Sequence, residues 1–251
     1  MILLTNDDGI RAPGLRALYE SIKEVDEVCV VAPETEMSAV GHAITLSDPL
    51  RVKEIMKNGG FFGYAVSGTP ADCVKIALKA ILRKKPDMVL SGINQGANVG
   101  TNVIYSGTVS AATEGTILGI PSIAISLDSF VDTDFSAAAA FAKRLVSQIR
   151  KRAFPKGTLL NVNVPSVPAD QIQGVEIVPQ GKSRVVETFD KRVDPRQHTY
   201  YWQAGEMVIM EEDEGTDCWA LRHKKISITP IHFDLTDYGN MDLIRGWEIG
   251  A

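Results

Sequence analysis

The chain has 251 residues, 45% of them hydrophobic, with 26 Lys plus Arg against 31 Asp plus Glu for a formal charge of −5. That is enough apolar material for a domain with a sizeable core, and it lacks the basic excess expected of a nucleic-acid surface. Three widely spaced cysteines (Cys29, Cys73, Cys218) form no C-x-x-C pair, which argues against a disulfide framework or thiolate zinc site; with no basic-apolar leader and no apolar run near the ~20 residues of a membrane span, the expectation is a soluble cytoplasmic protein.

Ile2, Leu3 and Leu4 form an apolar run without alternation, as in a strand of a parallel sheet covered on both faces. The run ends in Asn6-Asp7-Asp8-Gly9. Pro13 to Lys23 fits a helix, with Pro13 in the first turn and Leu15, Leu18, Tyr19 and Ile22 on one face. Glu27 to Ala32 is a second strand, opening into the polar loop Pro33 to His42. Thr45 to Met56 and Phe61 to Val66 read as strands around a turn at Lys57-Asn58-Gly59-Gly60. Thr69 has the chemistry of an N-cap, with Pro70 first in the helix and Asp72 three residues after the cap; that helix runs to Leu82. Asp87 to Ser91 is a strand, followed by a loop dense in glycine and asparagine from Gly92 to Asn102. A helix begins at Ser106-Gly107-Thr108 and extends to about Leu118. Ile120 to Ser126 is a strand, Phe135 to Arg152 a helix, and Thr158 to Val164 a strand closed by Pro165.

This alternation predicts an α/β fold: a Rossmann-like parallel sheet flanked by helices, with right-handed crossovers, over residues 1–179. The texture changes near Pro179. Gln180 to Glu206 is polar, charged and aromatic (Phe189, Tyr200, Tyr201, Trp202), with turn residues at Asp194-Pro195 and strand-like alternation from Thr199 to Gln203. Such a segment has too little apolar content for its own core. The expectation is a β-hairpin arm packing on a neighbouring subunit, with an ordinary surface hairpin as the alternative. Glu211 to Glu214 reads as a solvated acidic loop. Ile226 to Thr229, closed by Pro230, is a returning strand, and Leu243 to Trp247 a short helix. Residues 180–251 therefore read as an oligomerisation extension of the same domain.

Two neighbouring carboxylates at the end of a buried strand repel each other, a repulsion relieved by a cation between them or by water. Asn6-Asp7-Asp8-Gly9 is thus either a divalent-metal site or a solvated turn. Three loops, Asn6 to Gly9, Pro33 to His42 and Gly92 to Asn102, all leave carboxyl ends of strands of one sheet, where α/β proteins bind ligands. Their convergence brings Asp7, Asp8, Ser38, Asn94 and Asn98 to one rim. That all-oxygen set suits a hard cation, Mg²⁺, Mn²⁺ or Ca²⁺, and disfavours zinc. Two helix starts, Ser67-Gly68-Thr69 and Ser106-Gly107-Thr108, offer free N–H groups and a positive dipole end to phosphate. A metal beside such a helix start is a phosphoryl-transfer layout. No P-loop or dinucleotide fingerprint is present. His42 is open to two readings, proton donor or structural residue.

These motifs together resemble the SurE family, survival protein E, known as a metal-dependent 5′-nucleotidase. The resemblance rests on Leu4-Thr5-Asn6-Asp7-Asp8-Gly9, Ser38-Ala39-Val40-Gly41-His42, Ser67 to Val74, Ser91 to Asn98, Tyr105 to Val109, Leu160-Asn161-Val162-Asn163-Val164-Pro165 and Ser227 to Pro230. It implies one divalent ion per subunit, Mg²⁺ or Mn²⁺ with Ca²⁺ as a substitute, held by Asp7, Asp8, Ser38 and Asn94. It implies hydrolysis of nucleoside monophosphates, with Asp7 and Asp8 catalytic, and admits 3′-nucleotides and short polyphosphate as further substrates. Asn6, Asn98, Ser106, Gly107 and Thr108 are the candidate phosphate contacts. It also implies a homodimer or homotetramer exchanging C-terminal elements, without nucleic-acid or membrane partners. The rival readings are a metal-regulated nucleotide-binding protein without turnover and a haloacid-dehalogenase-type phosphatase. The second needs Asp-x-Asp, whereas Asp7 and Asp8 are adjacent.

Overall fold

The computed structural model describes residues 1–57, 59–131, 133–208, 214–247 and 249–250. Its frame is a nine-stranded sheet in the order β3-β4-β2-β1-β5-β6-β7-β11-β8. The six central strands are parallel: β4 (Gly60–Val66), β2 (Val28–Pro33), β1 (Ile2–Thr5), β5 (Met88–Gln95), β6 (Ser122–Asp128) and β7 (Thr158–Pro165). β3 (Val52–Lys57) closes one edge antiparallel to β4. At the other edge β11 (Ile226–His232) runs antiparallel to β7, and β8 (Val175–Ile177) pairs parallel with β11.

The unbroken apolar run of β1 has a direct structural cause. Ile2 and Leu4 enter the core under α1 (Pro13–Ile22) and α5 (Ser136–Ile149). Leu3 enters the opposite core, under α2 (Pro70–Ile76) and α4 (Gly107–Ile117). Successive side chains of a strand point to opposite faces, and here both faces are covered, so Ile2, Leu3 and Leu4 are all apolar and only Thr5, at the carboxyl end, is polar. α1 packs on α5, and α2 on α4, giving three layers.

Sequence and structure agree on the order of the major elements. Thr69 caps α2 in a reciprocal capping box with Asp72, and the helix continues through one π-type turn to Ile81. Strand β3 is shorter than the expected Thr45 to Met56. Residues 45–51 are irregular: Asp48-Pro49 breaks the run, and Thr45 is drawn to the Asp72 carboxylate by its N–H (3.1 Å) and hydroxyl (2.6 Å). Three short elements carried too few residues to show a period: α3 (Asn102–Tyr105), β8 and α6 (Asp217–Arg222). The hairpin is present as β9 (Arg184–Val193) and β10 (Thr199–Val208), ten residues each, outside the main sheet. The acidic run lies outside the described residues except for Glu214. The C-terminal helix α7 covers Met241–Arg245.

Candidate active site

Chain order runs outward from β1 to β2 and β4 on one side, then returns to β5, β6 and β7 on the other. The reversal falls between β1 and β5. At such a switch point the loops leaving two adjacent strands part, opening a crevice at their carboxyl ends. Asn6 to Asp8 leaves β1 there, and Asn94 ends the neighbouring β5, whose register with β1 runs from Ile2↔Met88 to Thr5↔Ser91. The loop after β2 folds over the same edge, its Met37 N–H donating to the Asp7 carbonyl at 2.8 Å. The three loops singled out in the sequence do meet, in a cleft of about 790 Å³ lined by Asp7, Ser38, Asn94, Asn98 and Ser106 among others.

Asp7 is 4% exposed. Burial pushes its carboxyl above the usual range, opposed by the Thr108 hydroxyl, which donates to Oδ1, and by the main-chain N–H groups of Asp7, Thr108 and Gly107. The start of α4 is therefore turned toward Asp7. A Cβ on Gly107 would lie 2.7 Å from the Asp7 Cβ, so only glycine lets that helix start approach so closely. Asp8 is half-buried and lines an adjoining space of about 450 Å³, which shares Ser38, Gln95 and Phe130 with the cleft. Burial first, then the charges of Asp7 and Glu36, push its carboxyl up to about 7, against a weak 3.4 Å hydrogen bond from the Gln95 N–H. No salt bridge reaches Asp7 or Asp8 among the described residues.

The other predicted residues are placed as follows. Ser38 is exposed on its loop, its hydroxyl donating to Glu36 Oε1 at 2.7 Å. Asn94 spends its Nδ2 on the Gly96 carbonyl (2.7 Å), which leaves Oδ1 as an available donor atom for a cation. Asn6 is fully buried; its Nδ2 bridges to the Gly9 carbonyl (3.1 Å), while Oδ1 is buried without a partner. Ser106 caps α4 by accepting the Val109 N–H (3.1 Å), and its own O–H remains free to donate into the cleft. Thr108 has its hydroxyl on Asp7. Asn98 is 7% exposed and grips its surroundings at several atoms: its N–H donates to Asn163 Oδ1 (2.8 Å), its Nδ2 to Ser126 Oγ (2.9 Å), and its carbonyl accepts from Asn161 (2.8 Å) and Asn163 (3.1 Å). The paired asparagines of the Leu160 to Pro165 motif thus form the seat of the Asn98 loop. Polar residues two apart in an otherwise apolar strand were the visible signal for such a seat.

His42 does not reach the carboxylates. It lines a second groove and shares the buried Glu114 with Lys75, at 2.9 and 2.8 Å. Burial pushes Glu114 up, but those two hydrogen bonds outweigh it and leave the carboxyl below its ordinary value. Sequence reasoning missed the far wall of the cleft: Tyr105 and Phe130, 58% and 76% exposed, and Arg184, Glu187 and Gln203 from the hairpin. These come from distant segments with no shared motif.

The arrangement has the chemistry of a hard-cation centre. The carboxyl of Asp7 is raised by burial and that of Asp8 by burial and the charge of Asp7. Among the described residues no salt bridge reaches either, and the oxygens of Asn94 and Ser38 border the same cleft as Asp7. An all-oxygen set with two carboxylates fits Mg²⁺ or Mn²⁺. Among the described residues no group of three or more His, Cys, Asp or Glu side chains gathers into a metal cluster, here or elsewhere, so the set at this edge is two carboxylates completed by neutral oxygens.

Comparison with known proteins gives the family and the fold. A family model described as "Survival protein SurE" matches residues 2–187. The chain is 56% identical over 248 residues to a "5′-nucleotidase SurE" of Syntrophobacter fumaroxidans, covering 99% of each chain. It is 52% identical over 239 residues to one of Moorella thermoacetica, covering 95% of this chain and 92% of the relative. It superposes on the crystal structure of the SurE protein from Aquifex aeolicus with a TM-score of 0.84 at 42% identity, covering 98% of both chains.

Proposed function

This chain belongs to the SurE family, and we propose that it is a divalent-metal-dependent phosphomonoesterase hydrolysing nucleoside monophosphates to nucleoside and phosphate. Its relatives carry the name 5′-nucleotidase along essentially their whole length. The observation in this chain that carries the reading is the Asp7–Asp8 pair at the switch point of the sheet, met by no salt bridge among the described residues, with Asp7 lining a cleft roomy enough for a nucleotide and Asp8 the space beside it.

Asp7, Asp8, Ser38 and Asn94 would hold the ion, Mg²⁺ or Mn²⁺. Bound there, it supplies charge neutralisation at the phosphoryl group and a lowered pKa for a bound water. Ser106 donates its hydroxyl to a phosphate oxygen, beside the amide of Asn98. Asn6 holds the Asp7–Gly9 turn through the Gly9 carbonyl. Asp7 is a poor nucleophile, because it is buried and Thr108 occupies its Oδ1. Water is therefore the attacking group, oriented by Asp8. Its oxygen forms the new P–O bond as the bond to the nucleoside oxygen breaks; the proton the water gives up passes to Asp8 and is returned to the leaving oxygen, so nucleoside and phosphate result with no net proton gained or lost by the protein. The nucleoside lies toward Tyr105, Phe130 and the hairpin, where flat rings offer stacking. The test is phosphate release from a panel of nucleoside monophosphates with Mg²⁺ or Mn²⁺, with and without chelator. Metal-dependent release is expected; nucleotide binding without release would support the non-enzymatic reading instead.

We further propose that the chain assembles as a dimer or tetramer through its C-terminal extension. The hairpin exposes Phe189 (64%) and Trp202 (60%), and α7 and its flanks expose Leu235, Tyr238, Leu243 and Trp247. An apolar groove of about 830 Å³, lined by Val103, Ile104, Ile117, Ile177 and Ile231, accompanies them. Exposed large apolar side chains in this number, with an apolar groove, support an interface there. Among the described residues no helix is long and apolar enough to cross a membrane. All three cysteines are free, which fits the cytoplasmic setting we propose.

A further inference from the structure

The loop from Asn98 to Asn102 is tethered at two points by unrelated parts of the chain. At its first end Asn98 sits on Asn161, Asn163 and Ser126, as described above. At its second end the Gly100 N–H donates to Asp217 Oδ2 at 3.0 Å, across 117 positions of sequence. Asp217 is fully buried at the start of α6. Its other oxygen, Oδ1, accepts the N–H groups of Gly181 and Cys218, both at 2.8 Å. The Gly100 carbonyl accepts from Gln180 Nε2 at 2.7 Å, and the Thr101 N–H donates to the Ser183 carbonyl at 2.9 Å. Gly100 has φ +55°, and a Cβ there would lie 2.2 Å from Ser183 Oγ, so the two segments lie in direct contact. One carboxylate thus joins the cleft loop at Gly100 to residues 181–183, from which the hairpin departs at Arg184.

We propose that Asp217 is a positioning residue for the nucleoside end of the cleft: it fixes Thr101, Asn102 and Tyr105 against Arg184 and Gln203. This deepens the nucleotidase reading and rests on it. The two tethers divide the loop's duties. Asn98, beside the metal and phosphate residues, keeps its own seat on β7. Gly100 to Asn102 and the α3 helix that follows depend on Asp217, and Thr101, Asn102, Tyr105, Arg184 and Gln203 all line the cleft. A buried carboxylate meeting three main-chain N–H groups is a strong clamp, because each hydrogen bond is charge-assisted.

Asp217→Asn is the selective test. The amide oxygen can keep the Gly181 and Cys218 N–H groups, which places Nδ2 against the Gly100 N–H, donor against donor. Full-length wild type, Asp217→Asn and Gln180→Ala are compared at saturating Mn²⁺ with adenosine 5′-monophosphate and with p-nitrophenyl phosphate, which has no nucleoside. We expect KM for the nucleotide to rise about fivefold or more in Asp217→Asn with kcat within about twofold, and both constants for p-nitrophenyl phosphate to stay within about twofold. Gln180→Ala, at an exposed position where truncation spares the core, shifts the nucleotide KM in the same direction by about two- to threefold. Losses of kcat equal for both substrates with KM unchanged, as a merely structural role would give, overturn the proposal, and so does an unchanged nucleotide KM. If Asp217→Asn does not fold, Gln180→Ala decides by the same criteria. A wild type that turns over p-nitrophenyl phosphate but no nucleoside monophosphate defeats the nucleotidase reading itself; substrate-independent losses on an active wild type defeat only the clamp.

Discussion

Replacing Thr108 by valine keeps shape and volume while removing one hydroxyl. Thr108 is fully buried on α4, and its hydroxyl donates to Asp7 Oδ1. Burial already disfavours the charged form of Asp7, and Thr108 is the first of the groups that oppose it. A hydrogen bond to a charged group contributes about 1.5–3 kcal/mol, so without it the charged carboxylate is less favourable by that order. If Asp7 holds the ion, metal binding must supply the difference. At about 1.4 kcal/mol per factor of ten, the apparent metal Kd should rise about 10- to 100-fold. Because the carboxyl's pKa moves further up, the weakening should be greatest at low pH and shrink as pH rises. The assay is Mn²⁺ titration of the metal-stripped protein by calorimetry at several pH values, with activation followed in parallel. At saturating metal kcat should stay within a few-fold of wild type. A metal Kd within about twofold of wild type at every pH would refute the role given to Asp7 and the ordering of contributions around it.

Asp8→Asn should abolish most metal-dependent turnover yet stabilise the metal-free protein at about pH 8. Asp8 titrates near 7 in the fold against an ordinary 3.8, so between those values the native state holds a proton that the unfolded chain has lost. The site therefore destabilises the fold above pH 7, and this is relieved as pH falls from 7 toward 4. Calorimetric melts of metal-free protein check it, and an Asn variant melting lower than wild type at about pH 8 contradicts it. Gly107→Ala places a methyl 2.7 Å from the Asp7 Cβ. It should cut kcat/KM about 100-fold by displacing Asp7, while circular dichroism stays native. Phe189→Glu with Trp202→Glu, both exposed on the hairpin, should lower the oligomer order seen by light scattering; an unchanged mass would remove the hairpin from the interface.

Much of the fold was legible because its signals are local. The apolar run of Ile2 to Leu4 required covering on both faces, Thr69-Pro70-Ala71-Asp72 wrote its own capping box, and Asp194-Pro195 marked the hairpin turn. The rule that ligands gather at carboxyl ends of strands places Asp7, Asp8, Ser38 and Asn94 at one edge from sequence alone. Elements of three to six residues, such as β8, α3 and α6, span too little of a period to be read that way.

What sequence alone determined, then, was the set of candidate oxygen-bearing groups and the sheet edge they share, because strand period, helix caps and turn residues act over a few positions. Only the tertiary structure decided their partners. Thr108 meets Asp7 across 101 positions, Asn163 meets Asn98 across 65, and Asp217 meets Gly100 across 117. It also turned His42 away from the carboxylates onto Glu114 and set the hairpin's Arg184 and Gln203 into the cleft wall. These contacts depend on which strands become neighbours and how deeply each group is buried. Burial, through the desolvation it imposes, is the first cause that pushes the carboxyls of Asp7 and Asp8 up, and that is a property of the packed sheet rather than of Asn6-Asp7-Asp8-Gly9.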